Sequence, residues 1–376
     1  MSDRLKPSRM ELRLEAEIAG AATPMEADCK RAELAGYHAR LGRFEEARST
    51  LSTLRQRYDQ RPNAAISSWL NLVEGLVGHF SDMDPAARDK VLRAHALSTA
   101  AGLTSIRALS AAWLAHLDYL HANVRLMVER VHEVLSISIP HANSAYSRVN
   151  LVVAQAYHVA GRLDLALPWY SRARDWAVFE GDDATISALM HNMAWLRAHE
   201  LRRLAFIEQD AEQSKRHALL SIDSTTNFDF LIGSSSLPSL VPILRAQVLS
   251  VLGREAEALA LYEQHLPSAL NEGMGRLRAD LTADLAWCQL KLGQTDLATT
   301  SALEAQGNID LGGQHDDRAL AHSRLAQVFS LLGYADDAKR HKFMADEAWA
   351  GHASLRTSIL SELGDLPLQP KFPPAT

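Results

Sequence analysis

LGREAEA at 252–258, LGQTDLA at 292–298 and LGYADDA at 332–338 share one shape: leucine, glycine, two or three mostly polar residues, then an acidic residue and alanine. LGRFEEA at 41–47 and AGRLDLA at 160–166 carry the same shape upstream. Gly253, Gly293 and Gly333 follow one another at intervals of 40 residues. A fixed period of this size means a stack of like units, and that decides the fold before any single residue is weighed. A stack exposes a long surface, so binding is expected ahead of a catalytic pocket.

Helical spacing flanks each turn. Before Gly161, Tyr146, Val149, Val153, Ala156 and Tyr157 recur at three and four residues; after it, Leu163, Ala166, Leu167, Tyr170 and Ala173 do the same. Glycine ends the first helix because it takes left-handed backbone without a Cβ clash. Asp164, Glu257, Asp296 and Asp336 fall in the first turn of the second helix, where the helix dipole favours them. Ala166, Ala258, Ala298 and Ala338 are small where two helices must cross. Each unit is a helical hairpin.

The period also places degenerate copies. Gly42 and Gly161 stand nearly three units apart, so two turns are expected between them, near His79–Asp84 with Pro85 opening the next helix, and near His121–Asn123. Another is expected near Glu200–Arg203. The result is an all-α array of about eight hairpins, with first helices near 26–41, 64–79, 105–121, 144–160, 184–200, 238–252, 276–292 and 316–332. Residues 1–25 hold a capping helix (8–22), 26–350 the repeat array, and 351–376 a second capping helix (352–364) and a tail with four prolines that is expected to be disordered. A surplus of about a dozen residues falls on STTNFDFLIGSSSLPSL at 224–240, read as an insertion in the array.

Composition narrows the function classes. Apolar residues make up 47% and charged residues 22%, ordinary values for a chain that buries a large core. The formal charge is −6, and no basic stripe interleaved with aromatics is present, so no nucleic-acid partner is expected. Cys29 and Cys288 are too few for a disulfide framework, which fits a reducing cytosol. No signal-like block opens the sequence, and no apolar run approaches a membrane span. A soluble, cytoplasmic protein without membrane partners is expected.

The turn-plus-alanine signature resembles the tetratricopeptide repeat family. In the fourth hairpin Val153 and Ala154 match the Leu-Gly position of the first helix and Tyr157 its aromatic position, followed by Gly161, Ala166, Tyr170 and Ala173. Ala246, Ala258 and Tyr262 repeat this in the sixth hairpin, Leu285, Ala286 and Ala298 in the seventh, and Leu325, Ala326, Phe329, Ala338 and Ala345 in the eighth. The resemblance covers roughly residues 26–350 and implies a right-handed α-α superhelix. The period departs from the family's 34 residues, and the family's closing Pro and early Trp are mostly missing. In its long period the array is similar to sensor segments of bacterial regulators, such as the helical arms of maltose-type activators and the N-terminal halves of some diguanylate cyclases. That likeness covers the sensing part alone.

The resemblance further implies that first helices build an inner, concave wall. One residue past the small site of each first helix runs a column of His116, Gln155, Trp195, Gln247, Trp287 and Gln327; one turn earlier the neighbours include His191. Amides that pair with a backbone and aromatic faces that take apolar side chains suit an extended peptide. Trp195 and Trp287 could equally fill gaps between hairpins. The carboxylate clamp of chaperone-binding relatives needs Lys and Asn where this chain has Leu151 and Gln155, or His191 and Trp195, so that mode is not expected. The 224–240 stretch reads either as a docking loop carrying Phe228 and Phe230 or as a solvated insertion.

Catalytic, cofactor and metal signals are absent from the pattern. GMG at 273–275 follows a helix and lacks a third glycine, so it is no phosphate loop. His116/His121 and His191/His199 lack the i, i+4 spacing of a helical zinc pair. No Ser or Cys stands in a nucleophile motif, and the runs RLRAD at 276–280 and AKRHK at 338–342 read as solvated helix faces. The expected activity is non-enzymatic binding of a peptide or protein segment in the concave groove. The alternative is a module that senses a ligand or signal peptide. A homodimer through the array ends is compatible with either.

Overall fold

The computed structural model describes residues 7–137, 143–207, 212–233, 237–364 and 366. Among them there are helices and turns but no strand. A leading helix, α1 (Arg9–Ala19), precedes eight hairpins: α2 (Pro24–Arg40) with α3 (Phe44–Tyr58), α4 (Ala64–Asp82) with α5 (Ala87–Ala100), α6 (Thr104–Leu120) with α7 (Val124–Ser136), and α8 (Asn143–Val159) with α9 (Leu163–Glu180). Then follow α10 (Asp183–Phe206) with α11 (Glu212–Ile232), α12 (Leu240–Val251) with α13 (Glu255–Asn271), α14 (Arg278–Lys291) with α15 (Thr295–Asn308), and α16 (His315–Leu331) with α17 (Ala335–Leu363). The all-α hairpin architecture read from the repeat is the one observed. No described helix is long and apolar enough to cross a membrane.

The repeated turn works as its residues demand. Gly42, Gly161, Gly253, Gly293 and Gly333 all have φ between 72° and 86°. After each, the next amide donates to the carbonyl five residues back, as in Arg162 N to Tyr157 O at 2.9 Å and Tyr334 N to Phe329 O at 2.9 Å. This closes the orphan carbonyls at the helix end. Two of the degenerate turns keep the left-handed backbone without glycine: Met83 and Ala122 sit at φ 56° and 55°. Ala47, Ala166, Ala258 and Ala298 are fully buried where the hairpin helices cross.

Three expectations are corrected. The turn expected near Glu200–Arg203 is not there, because α10 runs on to Phe206. Leu201 and Arg202 are both fully buried, and the helix must continue to carry them inward. Ser224–Ile232 continue α11 as helix, and the Thr225 and Thr226 hydroxyls donate to the carbonyls of Ser221 and Ile222, one turn back. Residues 234–236 of the same stretch lie outside the described residues. Finally, 352–363 form no separate cap but prolong α17. Gly351 does not break that helix: a Cβ there would meet His315 Nδ1 at 2.5 Å, so the glycine permits a close approach. Of the tail, 367–376 lie outside the described residues.

The chain divides into two compact units. Unit 1 comprises 1–189, 228–236 and 357–376; unit 2 comprises 190–227 and 237–356. In unit 1 the core runs through Leu51, Leu54, Ile66, Leu72, Val73, Trp113 and Leu114. A smaller cluster joins α1 to its neighbours through Met10, Leu14, Tyr37, Leu41 and Ala184, with Ile232 of α11 packed against it. In unit 2 the core runs from Leu201 and Ile222 through Leu244 and Tyr262 to Cys288, and a second cluster centres on Ala302, Leu325, Val328 and Phe329.

AKRHK is not wholly solvated, because His341 is buried. Its Nδ1 meets His322 Nδ1 at 2.8 Å, and its ring stacks on Phe329 at 5.4 Å. Burial, aided by His322, pushes His341 down to about 4, and burial with the Arg148 charge holds His116 well below its ordinary value. These folded values are depressed, so the unfolded chain binds protons that the folded chain rejects. The stability they supply is present above the unfolded imidazole value and is lost as pH falls from about 6.5 towards 4. Urea midpoints are expected to drop between pH 7.5 and pH 5, and His341→Gln should flatten that drop. Equal midpoints at both values would contradict it.

Candidate functional site

Buried charged and aromatic residues gather on the first helices, separately in each unit. In unit 1, α2, α4, α6 and α8 surround a small cleft of about 30 Å³ lined by Tyr37, Arg40, Trp69, Trp113, Ser144 and Arg148. That exceeds the roughly 10–15 Å³ needed by one water. Arg148 rises into it from α8 and is 3% exposed. Its guanidinium lies 3.9 Å from the Trp113 ring centroid, and its Nε has no hydrogen-bond partner. Burial, with Arg40 adding repulsion and Asp182 opposing, pushes Arg148 down to about 9. Arg40 differs: it donates to Asp182 Oδ2 at 2.7 Å and Thr185 Oγ1 at 3.0 Å. The cleft therefore holds a desolvated cation on an aromatic face with no carboxylate bonded to it. Stacking recovers about 2 kcal/mol of the desolvation cost at best, which leaves it suited to an incoming anion.

α1 borders the cleft through Met10. It is clipped to the α9–α10 turn, where Met10 N donates to Gly181 O at 3.3 Å and Arg13 pairs with Glu180 at 2.7 Å. At its other side Glu11 accepts from Arg43 at 2.9 Å. The leading helix therefore closes a span from the first hairpin to the start of the fifth within unit 1.

In unit 2 the wall is built on a buried ionic network. Arg202 of α10 donates through both terminal nitrogens to Asp280 of α14, at 2.8 and 2.6 Å, and lies 2.9 Å from Asp284. Arg324 of α16 donates Nε to Asp284 at 2.7 Å and covers the rings of Trp287 and Phe206 at 4.7 and 4.9 Å. It also donates to Gln327 Oε1 at 2.8 Å. Burial lowers Arg202, but Asp280 and Asp284 outweigh it and raise the group above its ordinary value. Burial likewise raises Asp284, and the two arginines pull it below the carboxylate range. Two cations facing two anions leave this network balanced. RLRAD is thus no solvated face at its end, since Asp280 is buried.

The column read from the sequence divides by burial. His116, Gln155, His191 and Gln247 are buried, with Gln247 fully so. Trp195, Trp287 and Gln327 are partly exposed, all in unit 2. Trp195 lies against His199 at 4.3 Å, and Trp287 under Arg324. Phe228 is partly buried and Phe230 is 77% exposed, both on the last turns of α11. Sequence reasoning passed over Trp113, Asp284 and Arg324, which stand three residues before His116, Trp287 and Gln327 of the column. A charged residue inside an apolar first helix was the available signal, and it also marks Arg148. No spacing within a single helix marks a metal set, whereas the fold brings His199 of α10 to Asp316 and Asp317 of α16, with ligand atoms within 4.8 Å of one another.

No curated protein matches this chain. The tetratricopeptide repeat family profile matches residues 31–52 and 243–264. The first match spans the α2–α3 turn in unit 1 and the second the α12–α13 turn in unit 2, where Gly42 and Gly253 hold the left-handed backbone. Among the described residues the helices form eight hairpins, and the chain is an all-α helical-repeat protein carrying TPR-like repeats at these two turns.

Proposed function

We propose that this chain is a non-catalytic scaffold that binds a peptide or protein segment on its first-helix walls, taking an acidic group of the partner onto Arg148. Tetratricopeptide repeats mark a protein-interaction scaffold, and the observation that carries the finer reading is the buried guanidinium on Trp113 without a bonded carboxylate. Trp195 and Trp287 offer partly exposed aromatic faces for apolar side chains of the same class of partner. The overall charge of −6 and the lack of a basic stripe weigh against nucleic acid.

The test is affinity capture with mass spectrometry on the wild type, Arg148→Met and the Trp195→Ala/Trp287→Ala double variant. Partners lost from both variants and then bound directly as synthetic acidic peptides support the reading. Identical partner sets in all three sink it. Arg148→Met separates binding from folding: removing an unpaired buried charge in favour of an apolar chain is neutral or stabilising. Binding should fall at least tenfold while the melting temperature holds or rises.

The size of the unit 1 cleft favours a second reading, a sensor for a small anionic ligand rather than a peptide. Such a ligand would compact the chain in solution scattering, whereas a scaffold keeps its dimensions with a partner bound.

A further inference from the structure

We infer that unit 2 contains a binding site for one divalent transition-metal ion, held by His199 of α10 and by Asp316 and Asp317 in the first turn of α16. The three side chains each offer a ligand atom, and those atoms lie within 4.8 Å of one another. A tetrahedral ion with bonds of about 2.0–2.2 Å needs separations somewhat shorter than this, which side-chain rotation supplies. Acidic residues at a helix start are ordinary, since the dipole favours them there. The histidine is what is not ordinary. His199 is 7% exposed, and neither its Nδ1 nor its Nε2 has a hydrogen-bond partner. Its Nδ1 stands 3.8 Å from Asp316 Oδ2, beyond hydrogen-bond reach. A buried imidazole at ion-pair distance from Asp316 yet hydrogen-bonded to neither carboxylate is an incomplete site that an ion would complete.

The surroundings are those of a metal ligand set. The His199 ring is fixed against Trp195 at 4.3 Å. Asp317 Oδ2 accepts from the Gln314 backbone amide at 2.9 Å, which orients its carboxylate as outer-shell bonds orient metal ligands. His352 of α17 interacts electrostatically with both Asp316 and His199, and its Nδ1 also lacks a partner, so it is the fourth donor available. Arg276 opposes cation binding, at 3.3 Å from Asp317. One imidazole, a second at hand and two carboxylates select zinc, manganese or iron-type ions over calcium and magnesium, whose sites are built from oxygen alone.

The test uses the full chain, without a histidine tag and stripped with chelator. Cobalt(II) is titrated as a spectroscopic probe, and zinc is measured by equilibrium dialysis with elemental analysis. The expected results are one ion per chain, visible cobalt absorption and a raised melting temperature. His199→Gln and Asp316→Asn should each weaken binding at least tenfold, while the exposed His132→Ala leaves it unchanged. Circular dichroism on each variant separates lost ligation from lost folding. Should Asp316→Asn misfold, the His199→Gln titration still decides. Sub-stoichiometric zinc on the wild type, or equal affinity in wild type and His199→Gln, would overturn the site.

Discussion

Arg202→Met is expected to destabilise unit 2 by about 3–5 kcal/mol, because it strands the buried carboxylate of Asp280 and removes one of the two cations on Asp284. Asp280 and Asp284 are 2% and 0% exposed, and the fully buried guanidinium of Arg202 bonds to the first and lies 2.9 Å from the second. Without it Arg324 and the Tyr262 hydroxyl remain on Asp284, at 2.7 and 3.2 Å, but among the described residues no other cation bonds Asp280. Asp280 must then take a proton or unfold its surroundings. A whole domain is stable by only about 5–15 kcal/mol, so a loss of this size removes a large share. Two compact units need not unfold as one, and a single melting temperature would blur the effect. Hydrogen exchange resolved by peptide is the better readout: α10 and α14 segments of unit 2 should exchange faster while α2 and α4 in unit 1 do not. The control is Arg254→Ala, which breaks an exposed pair with Glu257 and should leave exchange unchanged. Protection of α14 equal to wild type in Arg202→Met would contradict the network's structural role.

The same residue explains where the sequence stops being legible. Five glycine turns and their period carried the fold, because each is a local requirement: left-handed backbone, an amide bonded five residues back, an alanine at the crossing. Met83 and Ala122 take that left-handed backbone without glycine, and the period located them where composition could not. The turn expected at Glu200–Arg203 failed for the opposite reason. There α10 carries Arg202 to its buried bond with Asp280, 78 residues away, and no local pattern contains that contact. The wall residues were legible only in part. Position in the repeat selects Trp195, Trp287 and Gln327, which are partly exposed, and equally Gln247, which is wholly buried. Exposure depends on how neighbouring hairpins pack, and a one-residue step along a helix turns a side chain by about 100°. That step is the difference between Ser323 and Arg324, and between Ala112 and Trp113. The likeness of Ser224–Ile232 to a loop came from hydroxyl residues, whose side chains instead bond the carbonyls of their own helix.

Gly181→Ala is expected to release α1 from unit 1. Gly181 has φ +70°, and a Cβ there would stand 2.5 Å from Arg9 Cβ and 3.0 Å from Met10 N. Left-handed backbone costs a residue with a Cβ roughly 1–2 kcal/mol, and overpacking adds roughly 1–3 kcal/mol. Against this stands the docking of an 11-residue helix that buries Met10 and Leu14. Burial of two such side chains supplies about 3–6 kcal/mol. Ordering the helix opposes that gain, since a helix this short is unstable alone in water. The net hold is therefore no larger than the new strain, and undocking is the cheaper response. Amides of Arg9–Ala19 should exchange at unfolded rates in Gly181→Ala, while α4 and α6 stay protected. Two controls divide the cause. Gly102→Ala has φ +66° with nothing within 4 Å of the added carbon, so it bears the backbone cost alone and should leave α1 protected. Gly181→Asn relieves the backbone cost yet keeps the clash, so it should release α1 nearly as well. Because Met10 borders the cleft of Arg148, the released chain should also bind an acidic peptide at a faster rate than wild type. Unchanged protection of α1 in both Gly181 variants would mean that its contacts with Arg43 and the Tyr37–Leu41 cluster, rather than the α9–α10 turn, hold it in place.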